Sequence, residues 1–153
     1  MDSTQVELTN DFIVIGRALR TSPERAASDI PDFWRRFVQE APGTIGAPNA
    51  DLYAVYCDYE TDHRGPYTLV LGYRGEGTAE VPPGMRRVRV PFGQYASFAA
   101  KGDPAQVIWS TWAHVNTEWP QRHRRRYIAD YERYPANAMA SATVEAQIVV
   151  GVT

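Results

Sequence analysis

An internal repeat constrains the fold of this chain more than any other feature of its sequence. Three short patterns in the first half recur in the second half in the same order and at nearly equal spacing. The repeat predicts two related units, at about residues 5–76 and 85–153, within one domain that spans residues 1–153. The first copies are Phe33-Trp34 with Phe37, Asp58-Tyr59-Glu60 and Leu69-Val70-Leu71-Gly72, and the second copies are Ile108-Trp109 with Trp112, Asp130-Tyr131-Glu132 and Ile148-Val149-Val150-Gly151.

Each unit has the pattern of a strand, a helix and two further strands. Helical spacing of apolar residues follows Pro23 and again follows Asp103-Pro104, where an aspartate N-cap and a proline at the first helical position are typical of a helix start. The first helix is predicted to end at Pro42-Gly43 and the second at Pro120. Apolar and β-branched runs predict the strands, at 6–20, 52–60 and 67–74, then 86–101 with a bend at Gly93, 127–134 and 143–152.

One such unit alone would leave the apolar faces of its helix and its sheet poorly covered. We therefore expect the two units to pair about a pseudo-twofold axis. The predicted fold class is α+β, a tandem strand–helix–strand–strand repeat with antiparallel sheets. Interfaces between repeated units are common places for small-molecule sites, so a binding cleft is expected at this axis.

The composition narrows the class of protein. Sixteen Lys plus Arg stand against eighteen Asp plus Glu in 153 residues, and this balance gives no electrostatic case for direct binding of nucleic acid. No apolar run is long enough to span a bilayer, and the first residues lack the pattern of a signal peptide. The single cysteine, Cys57, excludes an internal disulfide framework. We expect a cytoplasmic protein without membrane association, and the length leaves no room for a separate DNA-binding domain.

Metal and nucleotide sites have no support in the sequence. His63, His114 and His123 have neither the spacing nor the cysteine partners of a metal site, and no phosphate-binding or dinucleotide-binding motif is present. No metal and no cofactor are therefore expected. The basic run 122–126 lies at a predicted helix–strand junction without a helix-turn-helix beside it, and a solvated loop is its simplest interpretation.

Glu132 is the sharpest candidate for a functional residue. It lies inside the predicted strand 127–134, whose alternation places Asp130, Glu132 and Tyr134 on one face. A carboxylate at such a position either pairs with an arginine, such as Arg133 or one of 124–126, or faces a cavity. In an aromatic cavity it would bind a cation, because ring faces attract cations and a desolvated carboxylate fixes them. The residue pattern leaves both alternatives open.

Aromatic residues are abundant, with nine Tyr and four Trp in the chain. The tryptophans of the two predicted helices either fill the core or line a pocket. Tyr56 lies on the strand 52–60 and is the expected counterpart of Tyr134 across the axis. The candidate ligand-binding residues are therefore Glu132, Tyr134, Trp112, Trp109, Trp34 and Tyr56.

Four segments in sequence order resemble the GyrI-like small-molecule-binding family, which includes the effector-binding domains of AraC-type and MerR-type multidrug regulators. The stand-alone, integron-associated effector-binding group is the most similar in pattern. The resemblance implies a tandem strand–helix–strand–strand fold with an aromatic pocket at the pseudo-twofold axis. It also implies a glutamate on the penultimate strand that meets lipophilic cations, and by position this glutamate is Glu132. The segments are 52–72, Val81-Pro82-Pro83-Gly84-Met85, Gly93-Gln94-Tyr95-Ala96-Ser97-Phe98 and 127–134.

The resemblance implies three alternative functions. The first is stand-alone binding of hydrophobic or cationic aromatic compounds, for sensing or sequestration of a drug or effector. The second is hydrolysis of strained, cyclopropane-bearing electrophiles, in which Glu132 would be the catalytic residue that helps to activate water. The third is regulation through a protein partner, either gyrase or a separate transcription factor.

Overall fold

The computed structural model of the chain describes residues 1–40, 50–77, 80–136 and 142–153. These residues form two α-helices and one antiparallel sheet of eight strands, which confirms the α+β fold class. The helices are α1 (Pro23–Glu40) and α2 (Pro104–Thr117). The strands are β1 (Ser3–Leu8), β2 (Phe12–Thr21), β3 (Leu52–Cys57), β4 (Tyr67–Gly75), β5 (Arg86–Val90), β6 (Gly93–Gly102), β7 (Ala129–Tyr134) and β8 (Val144–Val152).

The strand order of the sheet is symmetric about its centre. The order is β1-β6-β8-β7-β3-β4-β2-β5, with antiparallel pairing throughout. Counterpart strands from the two halves of the chain occupy equivalent places, with β7 and β3 adjacent at the centre. Three of the four counterpart pairs also have equal lengths: six residues in β3 and β7, nine in β4 and β8, and ten in β2 and β6. The pseudo-twofold axis therefore passes between β3 and β7.

Two strands that the sequence predicts as continuous are divided in the structure. The segment 6–20 contains β1 and β2, and the segment 86–101 contains β5 and β6. The second break falls at Pro91, which has no N–H for a strand ladder, and Gly93 beyond it has a φ of 138°, which glycine tolerates. This bend at Gly93 agrees with the sequence-based prediction.

The division lets the two halves exchange their first strands. β1 pairs with β6 of the second half, and β5 pairs with β2 of the first half. In each half of the chain, an extra edge strand precedes the strand–helix–strand–strand unit and pairs with a strand of the other unit. The two units form one continuous sheet through the pairing of β3 with β7 at its centre, and the exchanged strands form its two edges.

Backbone conformation also shortens the two central strands. β3 ends at Cys57 because Asp58 has a φ of 50°, and β7 begins at Ala129 because Tyr127 has a φ of 54°. Both values lie in the left-handed region, which interrupts strand pairing. The predicted strands 52–60 and 127–134 are therefore too long at these ends.

The helices form where the sequence predicts them. The Asp103 side chain accepts a hydrogen bond from the backbone N–H of Ala105 at 3.0 Å, and Pro104 occupies the first turn of α2. The predicted end of α1, from Ala41 to Pro42-Gly43, lies outside the described residues. Over the part of the chain that the structure describes, neither helix combines the length and the apolar character needed to cross a membrane.

Both helices pack on the same face of the sheet. Phe33 and Phe37 of α1 and Val115 of α2 are buried there against Leu69 and Ile148 of the strands. The opposite face carries a separate apolar cluster, in which the Phe12 ring lies 5.5 Å from Tyr53 and 5.4 Å from Tyr131 between ring centroids. The first helix packs mainly on β2 and the second mainly on β6 and β8, so the two helices flank the centre of the sheet, where β3 and β7 meet.

Candidate ligand-binding site

A cavity of about 460 Å³ lies between the two helices and the central strands. This volume is typical of a site for a small organic molecule. Its lining includes all six residues that the sequence analysis puts forward as ligand-binding candidates, which are Trp34, Tyr56, Trp109, Trp112, Glu132 and Tyr134.

Glu132 lies on the floor of the cavity and is only 1% exposed. Three neutral groups donate hydrogen bonds to its carboxylate. The Tyr56 hydroxyl and the Trp112 Nε1–H donate to Oε2 at 2.6 and 2.7 Å, and the Tyr134 hydroxyl donates to Oε1 at 2.5 Å. Across the strand pair, Glu132 is opposite Ala54.

The ion pairs formed among the described residues do not include Glu132. Arg133, one of the partners considered above, has the opposite orientation in the strand and pairs with Asp51 at 2.7 Å. Arg125, another such partner, pairs with Asp130 at 2.8 Å. Of the two alternatives for Glu132, the structure has the one in which the carboxylate faces a cavity.

Burial raises the pKa of Glu132 above the usual range for a glutamate, and the three hydrogen bonds partly oppose this by stabilising the charged form. Burial also raises the pKa of Tyr56 and of Tyr134, and the Glu132 charge adds to the effect. Both hydroxyls therefore keep their protons and remain donors. The charged form of Glu132 is hydrogen-bonded but has no positive partner among these groups.

Asp130 is two residues away on the same face of β7 and has the opposite electrostatic arrangement. It is fully buried and accepts hydrogen bonds from Arg125 at 2.8 Å, from the Tyr59 hydroxyl at 2.6 Å and from the backbone N–H of Gly151 at 2.8 Å. Arg125 also donates to the Asn116 side chain. The charge of Asp130 is therefore compensated within the protein, and that of Glu132 is not.

Aromatic rings in mutual contact form the walls around Glu132. The Trp34 ring meets the Tyr134 ring edge-on at 5.3 Å, and the Trp112 ring meets the Tyr56 ring at 5.0 Å. Such edge-on contacts are favourable beyond simple burial and hold the rings in place. Trp109 differs from the others because it is 51% exposed, which places it at the mouth of the cavity.

One end of the cavity is polar and is not predicted from the sequence. Tyr59, His63, Asn116 and Arg125 line this end. His63 belongs to a loop, where no periodic pattern marks a functional residue, and Arg125 belongs to the basic run that the sequence suggests is a solvated loop.

The interpretation of the run 122–126 as a solvated loop is wrong for most of its arginines. Arg122 is exposed, as a solvated loop predicts, although its guanidinium donates to the carbonyl of Trp119 at 2.9 Å. The half-buried Arg126 donates to the carbonyl of Gln94 at 3.3 Å. Arg124 donates to the carbonyl of Thr153, and Arg125 is buried against Asp130. The run ties the end of the helical segment to the sheet, since peptide carbonyls and a buried carboxylate are good acceptors for guanidinium groups.

A search of the described ranges finds no group of three His, Cys, Asp or Glu side chains placed to hold a metal ion.

Comparison with known proteins identifies the family. A family model described as integron-associated effector binding protein (Cass2) matches residues 5–152. The chain belongs to this family. The resemblance found in the sequence is thereby confirmed.

Relatives of this effector binding family extend the comparison. The Bacillus subtilis (strain 168) protein YobU, named as a candidate transcriptional regulator, is 27% identical over 139 residues, which cover 88% of this chain and 84% of YobU. The integron cassette protein from the mobile metagenome of Vibrio cholerae is 22% identical, with a TM-score of 0.74 over 99% of this chain and 95% of its own. The structure of SAV2435 bound to tetraphenylphosphonium is 17% identical, with a TM-score of 0.78 over 100% of this chain and 94% of its own. The two solved structures show that this family member has the GyrI-like fold.

Proposed function

We propose that this protein binds hydrophobic, monovalent organic cations that carry aromatic rings, and that Glu132 supplies the counter-charge. The observation that carries the proposal is the state of this one carboxylate. It is 1% exposed, held by three neutral donors and included in no ion pair of the described residues. A buried charge without a partner is unfavourable. A bound cation would supply the partner.

The aromatic walls favour the same class of ligand. A cation over the face of a Trp or Tyr ring gains about 0.5–2 kcal/mol per contact. Two or three such contacts together with the carboxylate would support a dissociation constant on the order of micromolar. The cavity volume of about 460 Å³ suits a molecule with several rings.

The hydrogen bonds at Glu132 favour cations without N–H groups. Both carboxylate oxygens already accept hydrogen bonds, two at Oε2 and one at Oε1. A quaternary phosphonium or ammonium ion donates no hydrogen bond, so it does not need a free acceptor on the carboxylate. Charge attraction and contact with the aromatic rings are enough to hold it. SAV2435, a protein of the same fold, was solved bound to tetraphenylphosphonium, which is a cation of this kind.

The same hydrogen bonds favour a charge-holding role for Glu132 over that of a catalytic base. A general base needs a free lone pair directed at the proton that it removes, and the three hydrogen bonds leave only one of about four lone-pair positions of the carboxylate, on Oε1, for this purpose. Reversible binding of the cation, as in sensing or sequestration, is therefore the function that we infer from the geometry.

Titration of the intrinsic tryptophan fluorescence tests the proposal, because Trp34 and Trp112 lie in the cavity wall. The probes are methyltriphenylphosphonium and triphenylphosphine oxide, which have three phenyl groups each and differ in charge. We expect the cation to bind with a micromolar dissociation constant and the neutral oxide to bind at least about tenfold more weakly. Equal affinities for the two probes, or no binding of the cation, would contradict the proposal.

A further inference from the structure

A second cleft, of about 360 Å³, adjoins the polar end of the aromatic cavity. His63 and Asn116 line both spaces, so the cavity and the cleft meet at these two side chains. We call the second space the polar cleft; its lining consists of His63, Asn116, Pro120, Arg122, His123 and Tyr127.

The polar cleft has a basic lining without a carboxylate. Arg122 and His123 are exposed at its rim. Three acidic residues lie within two positions of a lining residue or interact with one. Asp62 pairs with Arg64 at 2.7 Å and Asp130 pairs with Arg125 at 2.8 Å, and the exposed Glu118 lies 3.6 Å from Nδ1 of His114. The cleft is therefore suited to an anion, in contrast to the cavity that it joins.

Tyr127 forms a wall of the polar cleft and is held there in a strained conformation. Its φ of 54° is rare for a bulky residue. The Arg125 guanidinium lies 4.3 Å from the centre of the Tyr127 ring, and the Tyr127 hydroxyl lies 3.0 Å from Nδ1 of His63. The positive guanidinium of Arg125 therefore lies against the Tyr127 ring, and the imidazole of His63 contacts the Tyr127 hydroxyl.

Little more than the indole ring of Trp112 separates Glu132 from Arg125 at the polar end of the aromatic cavity. The Trp112 side chain donates to Glu132 at 2.7 Å, and the centre of its ring lies 5.8 Å from the Arg125 guanidinium. Arg125 lines the polar end of the aromatic cavity, and this end meets the polar cleft at His63 and Asn116. A ligand of several linked rings that extends from Glu132 past Trp112 is therefore directed toward the cleft.

We propose that the polar cleft is a subsite for an anionic substituent of the ligand. The protein then accepts amphoteric molecules, in which an aromatic cation at Glu132 carries a carboxylate that contacts Arg122 and His123. This inference rests on the function proposed above for Glu132. The aromatic cavity alone would not favour such amphoteric molecules, because the charge of Glu132 repels a carboxylate placed near it.

Three phosphonium probes test the subsite. They are tetraphenylphosphonium, its derivative with a carboxylate at the para position of one ring, and the methyl ester of that derivative. The ester and the carboxylate have similar size and differ in charge. At low ionic strength we expect the wild-type protein to bind the carboxylate about three- to fivefold more tightly than the ester, as one exposed charge pair allows. Added salt should reduce this preference.

Variants of Arg122 assign the preference to the cleft. Arg122 does not line the aromatic cavity, so Arg122→Gln should leave the affinities for tetraphenylphosphonium and for the ester unchanged, which also shows that the variant is folded. The same variant should abolish the preference for the carboxylate, and Arg122→Lys should retain most of it because the charge is kept.

Two results would overturn the subsite: a carboxylate probe that binds wild-type protein no more tightly than the ester does, or a preference that persists in Arg122→Gln. Failure of the proposed function is recognised separately. In that case none of the three probes binds, or Glu132→Gln binds tetraphenylphosphonium as tightly as the wild type does.

Discussion

Replacement of Glu132 by glutamine removes the charge from the cavity and keeps the shape of the side chain. The amide oxygen can accept the hydrogen bonds that Tyr56 and Trp112 now donate to Oε2, and the amide nitrogen can donate to the Tyr134 hydroxyl. The walls of the cavity should therefore stay in place. Any change in affinity for a cation then reports the charge.

The expected magnitude follows from Coulomb's law. A cation centre about 5 Å from the carboxylate gains about 3 kcal/mol at an effective dielectric constant of about 20. Part of this gain is offset, because burial raises the pKa of Glu132 and a proton bound to it must leave before the cation is held. We therefore expect Glu132→Gln to weaken binding of tetraphenylphosphonium on the order of tenfold or more, at about 1.4 kcal/mol per decade. Triphenylphosphine oxide, which is neutral, should bind both forms equally.

Isothermal titration calorimetry with both probes measures this difference, and urea unfolding of the empty proteins is the control. Since the pKa of Glu132 is raised in the folded state, the wild type gains stability as the pH falls from above this pKa to the value in the unfolded chain. Glutamine has no such dependence, so above that pKa the variant should be at least as stable as the wild type. Equal affinity of the two proteins for tetraphenylphosphonium would refute the reasoning. The variant also tests the hydrolase alternative, because an amide cannot activate water as a carboxylate does.

Two further substitutions separate the roles of neighbouring groups. Trp112→Phe keeps an aromatic wall but removes an N–H donor that stabilises the charged form of Glu132 and lowers its pKa. The pKa of Glu132 should therefore rise further, and calorimetry at a pH below the raised pKa should show tetraphenylphosphonium bound up to about tenfold more weakly, because a proton competes with the cation. Trp34→Phe, which removes no donor to Glu132, is the matched control, and equal losses in both variants would contradict this role. Asp130→Asn leaves Arg125 buried without its charge partner. Urea unfolding should therefore show a loss of about 3–5 kcal/mol in the free energy of unfolding. A loss below about 1 kcal/mol, as for an exposed ion pair, would contradict a structural role for the pair.

The sequence predicts the parts of the fold that depend on local periodicity. Helical spacing and the Asp103 cap define α2, and strand alternation places Glu132 and Tyr134 on the same face. The division of the predicted strands 6–20 and 86–101 depends instead on pairing across the sheet, which no local pattern records. The exchange of β1 and β5 between the halves is likewise a property of the complete sheet.

The candidate site is predicted in part for the same reason. Its aromatic and acidic members lie on regular elements, where spacing shows which residues share a face. Its polar end depends on His63 and Arg125, which lie in loops, and their approach to the cavity is set by tertiary contacts such as the pair of Arg125 with Asp130. The sequence also cannot show that Asp130 has a positive charge partner and that Glu132 lacks one among the described residues. Strand alternation places both residues on the same face, and only the three-dimensional arrangement distinguishes them.

The pKa of the Glu132 carboxyl, in the empty protein and with tetraphenylphosphonium bound, tests the central claim most directly. Carboxyl-detected NMR on isotope-labelled glutamate gives both values, and the signal missing from Glu132→Gln assigns the resonance. The account predicts a pKa above the usual glutamate range in the empty protein, because burial disfavours the charged form. Bound cation should lower that pKa, so affinity for the cation should decrease as the pH falls through the value of the empty protein. An ordinary pKa in the empty protein, or the same pKa in both states, would contradict the claim that Glu132 is a buried carboxyl whose charged form a bound cation stabilises.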